Sequence, residues 1–235
     1  MERHRNMYEL FIANKNYSSW SLRPWVLMRE LSIPFTETLV PFGNAPDGTS
    51  IADVSPSGRV PCLRDGQLRV WDSLSIVEYL AERHGHVWPS DAAARAWARS
   101  AAAEMHSGFF ELRQRCGMNC GIRARLVDIA APLALELERL NALWLKGLEK
   151  FGGPFLAGPQ FTAVDAFYAP VAFRVQSYGL QLKPAAMQYV SRLLELESMQ
   201  EWYAAALKEP WREEQYEAAV RDILIEDRRS VAQTA

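Results

Sequence analysis

The spacing of apolar positions changes partway along the chain, from short runs mixed with helical stripes to helical stripes alone. Tyr8 to Ala13 is a brief apolar run stopped by Asn14, Lys15 and Asn16, which predicts a first strand. From Pro24 onward Trp25, Val26, Leu27, Met28 and Leu31 recur at helical spacing. Ile33-Pro34 closes that segment, because the residue before a proline disfavours helix, and Pro24 reads as a first-turn proline. Phe35 to Val40 predicts a second strand, followed by a Pro-, Gly- and Asp-rich loop from Pro41 to Gly58 with one short helical piece near Ile51 to Val54. Val60 to Leu63 and Leu68 to Trp71 flank Asp65-Gly66, the pair expected at a tight turn, so strands three and four are antiparallel. Ser73 reads as the cap of a helix with Ile76, Val77, Tyr79 and Leu80 on its apolar face, ending near His84-Gly85.

The sum is a small mixed-sheet unit, residues 1–85, of α/β class. A linker of residues 86–90 leads to residues 91–235, whose pattern is helical throughout and predicts an all-α unit. Its breaks fall at Gly117 to Gly121, Phe151 to Gln160, Gly179 to Pro184 and Glu209-Pro210. Pro132 and Pro170 lie within helical patterns and belong in first turns or at kinks, and Arg229 to Ala235 read as a frayed tail.

Composition narrows the class. Over 235 residues, 26 basic against 28 acidic side chains give a net charge of -2, so no positive field attracts nucleic acid. Cys62, Cys116 and Cys120 are an odd number, fitting reduced thiols and a cytoplasmic location. Met1 to Asn6 is polar with no signal-peptide core, and no apolar run is long enough to span a membrane.

Four local features can carry chemistry. Tyr17-Ser18-Ser19-Trp20-Ser21-Leu22-Arg23 places hydroxyls between the first strand and the first helix, where free amides and the helix dipole favour an anion; plain capping is the alternative. Arg59-Val60-Pro61 opens a strand with a proline, and a cis Val60-Pro61 bond turns the Val60 amide and carbonyl outward to pair with a ligand's backbone. Asp72-Ser73 starts the third helix, where amides and hydroxyl suit a carboxylate and Asp72 suits an ammonium group. Thr162 and Asp165 have capping-box spacing and read as the start of a buried helix.

In this order and spacing the four features resemble the glutathione S-transferase family over nearly the whole chain. The resemblance implies a thioredoxin-like N-terminal domain with a helical C-terminal domain, glutathione as co-substrate, a small hydrophobic electrophile and a homodimer. The Ser-Ser-Trp-Ser loop is most similar to the serine-type zeta class, with Trp20 where the maleylacetoacetate isomerases carry cysteine. Residue by residue, the resemblance implies Ser18 as the hydroxyl on the glutathione sulfur, with Ser19 the second candidate. It implies Val60 and cis Pro61 as partners of the cysteinyl part, Arg59 beside them, and Asp72 and Ser73 at the γ-glutamyl end. For the electrophile the candidates are Trp20, His106, Phe109, Phe110 and Arg113, with 106, 109, 110 and 113 on one face of the first long helix at helical spacing. Arg174, four residues after Pro170, stands one turn from where the zeta isomerases have a substrate-binding arginine.

Other classes fit less well. A disulfide oxidoreductase needs a cysteine where this chain has Ser18, Ser19 and Ser21, and the spacing of His106, Cys116 and Cys120 is not that of a zinc site. Within the family, a glutathione-dependent isomerase of the maleylacetoacetate type and a non-enzymatic interaction module remain open, since fold alone does not separate them.

Overall fold

In the computed structural model, which describes residues 7–43 and 45–229, the first part of the chain folds around a four-stranded sheet. β1 (Tyr8–Ile12) leads to α1 (Ser19–Glu30), β2 (Phe35–Leu39), the single turn α2 (Ile51–Val54), β3 (Cys62–Asp65), β4 (Leu68–Trp71) and α3 (Ser73–Ala81). The sheet order is β2-β1-β3-β4, with β2 parallel to β1 and the other two pairings antiparallel. Alternation along β1 explains its two faces: Leu10 and Ile12 pack with Leu22, Trp25, Val26, Ile76 and Leu80, whereas Phe11 packs with Val40, Val54 and Cys62 on the opposite side. The sheet is therefore buried on both sides, by helices on one and by the loop carrying α2 on the other.

Two local readings change. α1 begins at Ser19, so Pro24 lies in its second turn, without an amide to give to the Trp20 carbonyl. The cap of α3 is Asp72, whose carboxylate accepts the Leu74 amide at 2.8 Å, rather than Ser73. Asp72 holds a positive φ of 71°, an uncommon conformation for a residue with a side chain.

The remainder is built from α4 (Ala92–Ser107), α5 (Phe110–Arg115), α6 (Ala131–Phe151), α7 (Ala163–Tyr178), α8 (Pro184–Glu195), α9 (Glu197–Lys208) and α10 (Glu214–Val220). Among these helices runs a two-stranded antiparallel ribbon, β5 (Ile122–Ala124) with β6 (Leu224–Asp227), which the helical pattern did not predict. A three-residue strand is too short to show a period, and its partner lies at the far end of the chain. Arg229, read as the start of a frayed tail, is instead buried and multiply hydrogen-bonded; residues 230–235 lie outside the described part, as do Met1 to Asn6.

α4 and α5 are separate helices. The Gly108 amide closes α4 on the Glu104 carbonyl at 2.8 Å, and Phe109 then turns the chain with φ 55°. His106, Phe109, Phe110 and Arg113 consequently do not share one helix face. Gly-Phe at this point is the signal that the spacing argument overrode.

α7 is the central post, with every residue but Gln176 buried, and it packs against α1, α4 and α8. Pro132 sits in the first turn of α6, while Pro170 lies inside α7. Asp165 secures the start of the post: its carboxylate accepts the amides of Leu156 at 3.0 Å and Thr162 at 2.9 Å and the Tyr189 hydroxyl at 2.8 Å. Burial raises its pKa to about 6 against the pull of these donors. Asp165→Ala orphans those donors at about 1–3 kcal/mol each before relaxation and removes a cap worth about 1 kcal/mol. Denaturant unfolding should show a loss of at least ~2 kcal/mol; a variant of wild-type stability would contradict this account of the helix start.

Candidate active site

Two adjoining cavities open where the edge of the sheet meets the helices. The larger, about 550 Å³, is lined by Tyr17, Ser18, Ser19, Phe110, Arg174 and Tyr216 among others, and the smaller, about 490 Å³, by Pro61, Asp72 and Ser73 among others. Trp20, Arg59, Val60 and Arg113 line both, so the two form one trough running from the N-terminus of α1 to that of α3.

Ser18 precedes α1, yet its side chain makes no capping bond. It donates to Ser21 Oγ at 2.7 Å, and Ser21 Oγ also accepts the Ala13 amide at 3.3 Å. The Ser18 hydroxyl is thus held at the helix terminus without being consumed there. Rotation of its O–H frees it to donate into the cavity while Ser21 donates to it in turn. Capping, the plain alternative for this serine, does not occur. The Val60–Pro61 bond is cis, and both residues line the trough. Arg59 is exposed at the rim and has no hydrogen bond or ion pair among the described residues. Asp72 and Ser73 lie at the far end, where Ser73 Oγ accepts from Arg23 Nη1 at 3.3 Å.

Three arginines gather at the trough: Arg113 and Arg174 line it from the helical part, and Arg23 of α1 lies beside Trp20. Arg174 donates to the carbonyls of Cys116 and of Arg113 (3.4 Å) and to Ser19 Oγ at 3.3 Å. It meets no carboxylate among the described residues, and its buried Nε has no partner. Arg23, also buried, lies 4.1 Å from the Trp20 ring centroid, and Arg113 lies 4.5 Å from it. Burial, then repulsion from Arg113 and Arg174, pulls Arg23 down to about 9; burial pulls Arg174 down to about 10. Against these cations stand Asp72, which favours the Arg23 charge, and Glu136, which favours that of Arg113. A cluster so placed gains from an incoming anion.

The electrophile candidates separate. Trp20, Phe110 and Arg113 line the cavities, with Phe110 strongly exposed. His106 lines neither: it stands edge-on to Trp20 at 5.1 Å, with Nε2 3.6 Å from Asp72. Phe109 is turned into the core against Tyr168, at 6.4 Å. Phe109 loses its expected place because Gly108 ends the helix that was to carry it, whereas His106 stays on α4 as expected and packs behind Trp20 rather than on the cavity lining. Sequence reasoning named Tyr17, Ser21 and Arg23 within the loop between β1 and α1 but gave them no role of their own, and it missed Tyr216. Arg23, four residues after Ser19, was accessible by helical spacing; Tyr216 was not, since the fold alone brings α10 there.

Residues 17–83 match the family description glutathione S-transferase, N-terminal domain, and residues 95–221 match glutathione S-transferase, C-terminal domain. The chain belongs to the glutathione S-transferase family. Glutathione S-transferase GstB of Escherichia coli is 26% identical to it over 209 residues, 83% of this chain and 92% of that protein. Glutathione S-transferase-like protein OpS6 of Beauveria bassiana is 26% identical over 172 residues, 69% and 76% of the two chains. A glutathione transferase homologue from Burkholderia, solved with bound glutathione, superposes with a TM-score of 0.65 at 22% identity, covering 85% of this chain and 97% of the other. The fold is that of this family: a thioredoxin-like N-terminal domain followed by a helical C-terminal one.

Among the described residues there is no cluster of His, Cys, Asp and Glu able to hold a metal ion, and no helix long and apolar enough to cross a membrane. All three cysteines are buried, and burial raises each thiol's pKa, that of Cys116 to about 12. A thiol reagent at about pH 8 should label none of them in the native protein and all of them after unfolding. Rapid labelling of even one in the native state would contradict this burial and reopen thiol chemistry at the site.

Proposed function

We propose that this serine-type family member binds glutathione along the trough and uses it, as thiolate, against a small electrophile. The observation that carries the reading is a buried hydroxyl, Ser18, at a helix N-terminus, paired only with another hydroxyl that can exchange roles with it. In this reading residues 1–85 hold glutathione. Its sulfur lies at Ser18, its cysteinyl backbone pairs with Val60 ahead of cis Pro61, and its γ-glutamyl end meets Asp72 and Ser73. Ser19, whose Oγ accepts from Arg174 at 3.3 Å and keeps its own O–H to donate, is the second candidate for the sulfur. Arg59, at the rim, is placed to meet a carboxylate of the tripeptide. Residues 91–235 supply the electrophile's side, and the resemblance carries with it a cytosolic homodimer.

A thiol of pKa about 8.5 is only a few per cent ionised at neutral pH. Lowering that value by about two units takes about 2.7 kcal/mol of preferential anion binding. One charge-assisted hydrogen bond from Ser18 supplies about 1.5–3 kcal/mol, and the dipole of α1 adds about 0.3–1 kcal/mol. The nearby arginines work in the same direction. Ser18 therefore acts as donor, since among the described residues its hydroxyl meets Ser21 and no histidine or carboxylate that could serve as the base of a serine nucleophile. Ser18→Ala should lower turnover with an aryl halide by about 10–100-fold while calorimetry shows glutathione affinity within a few-fold of wild type; unchanged turnover would reject the role.

Arg174 favours a finer version of the second substrate. A guanidinium with an idle, buried Nε on a cavity wall and no carboxylate partner suits an electrophile that carries its own carboxylate, its apolar part resting on Phe110 and Met118. The same observation supports a glutathione-dependent isomerase of the maleylacetoacetate type as the second reading. Arg174→Met should raise KM for a carboxylate-bearing electrophile by about tenfold relative to a neutral analogue. An equal effect on both substrates would remove the anionic group from this account, and product analysis with maleylacetone separates isomerisation from conjugation.

A further inference from the structure

The loop that presents Ser18 is held from the other end of the chain. Tyr17 OH donates to Glu217 Oε1 at 2.6 Å and accepts from Arg229 Nη1 at 3.0 Å. Arg229 in turn makes a fork to Glu217, at 2.5 and 2.8 Å, and donates to Asp227 at 2.6 and 2.8 Å. Its side chain is only 2% exposed. The arginine reaches Tyr17 by crossing Gly121, where a Cβ would lie 2.2 Å from the Arg229 Cγ, so only glycine leaves the passage open. Gly121 belongs to the same junction: its amide donates to Asn16 Oδ1 at 2.9 Å, and its carbonyl accepts the Arg228 amide at 2.8 Å. Asn119 closes the ring, accepting from Asn16 Nδ2 at 2.7 Å and donating to Glu217 at 3.2 Å.

The ring bears on the cavity. Tyr17 stacks on Tyr216 with centroids 4.9 Å apart, and both line the larger cavity beside Ser18. The Ser18 amide is tied to Asn14 O at 2.8 Å, within the same turn. An ion pair so well enclosed and forked costs much to break on one side only.

We propose that Arg229 is a positioning residue for glutathione activation: as a latch on the C-terminal ribbon, it fixes Tyr17 and thereby the Ser18 hydroxyl against the sulfur. This rests on the reading of Ser18 given above. A misplacement of the donor by about 1 Å costs rate far more than it costs ground-state binding. Glutathione keeps its contacts at Val60 and Asp72 when the latch is gone; its thiol loses the aligned donor.

The test is a pH titration of the thiolate absorbance of bound glutathione, with steady-state kinetics, in full-length Arg229→Met, Arg229→Lys, Tyr17→Phe and Ser18→Ala. Arg229→Met and Tyr17→Phe should raise the ionisation midpoint by about one unit and lower kcat by about tenfold when read about one pH unit below the wild-type midpoint. KM for glutathione should stay within about threefold, and Arg229→Lys should recover part of the shift. Tyr17→Phe removes one hydroxyl and keeps the ring on Tyr216, so it carries the test if Arg229→Met does not fold. A midpoint at the wild-type value in Arg229→Met and Tyr17→Phe, but raised in Ser18→Ala, overturns the latch alone. A midpoint unmoved in all variants overturns the Ser18 reading and the latch with it.

Discussion

The backbone from Asn14 to Ser18 has to stay fixed for anything else here to work, and it is fixed by groups far away in sequence. The buried Glu209 carboxylate accepts the consecutive amides of Lys15 and Asn16 at 2.7 and 3.2 Å, and Trp202 donates to the Lys15 carbonyl at 2.8 Å. Buried loop amides need such partners, because water is not there to serve them. By taking them from α9 and the segment after it, the chain joins the sheet edge to the helical part at the point where a hydroxyl is presented. Fold and site are thus one set of hydrogen bonds.

The trough this builds has two characters. One side is made of backbone, at Val60 and at two helix N-termini, together with small hydroxyls, a surface suited to an extended peptide's main chain. The rest is aromatic and cationic: Trp20 with Arg23 and Arg113 against it, and Arg174 beside Ser19. Buried guanidinium groups remain charged at neutral pH, so their mutual repulsion persists until an anion arrives. In the proposed reaction a thiolate and an acidic second substrate would both relieve it, tying the activation of one substrate to the chemistry of the other.

Much of this was legible in the sequence because it is local. The short helix at Ile51 to Val54, the Thr162–Asp165 helix start and the four expected breaks in the helical half follow from turn chemistry and period and are where the pattern puts them; the hairpin forms too, but one residue on, turning at Gly66-Gln67 with Asp65 still paired to Leu68. The cis Val60–Pro61 bond was reachable only as a possibility attached to a proline opening a strand. What escaped is non-local. β5 finds its partner in β6, Tyr216 reaches the cavity through α10, and Arg229 is buried by contacts that no window of the chain contains. Phe109 departs from its expected place for a different reason: a helical spacing was extended through Gly108, where the chain turns.

The most direct test of the central claim is a crystal structure of the full chain with glutathione. The account predicts the sulfur within hydrogen-bond distance of Ser18 Oγ, the cysteinyl amide and carbonyl paired with Val60, and the γ-glutamyl carboxylate at the N-terminus of α3. A tripeptide bound elsewhere, or one whose sulfur points away from the α1 terminus with the Ser18 hydroxyl still on Ser21, would contradict it.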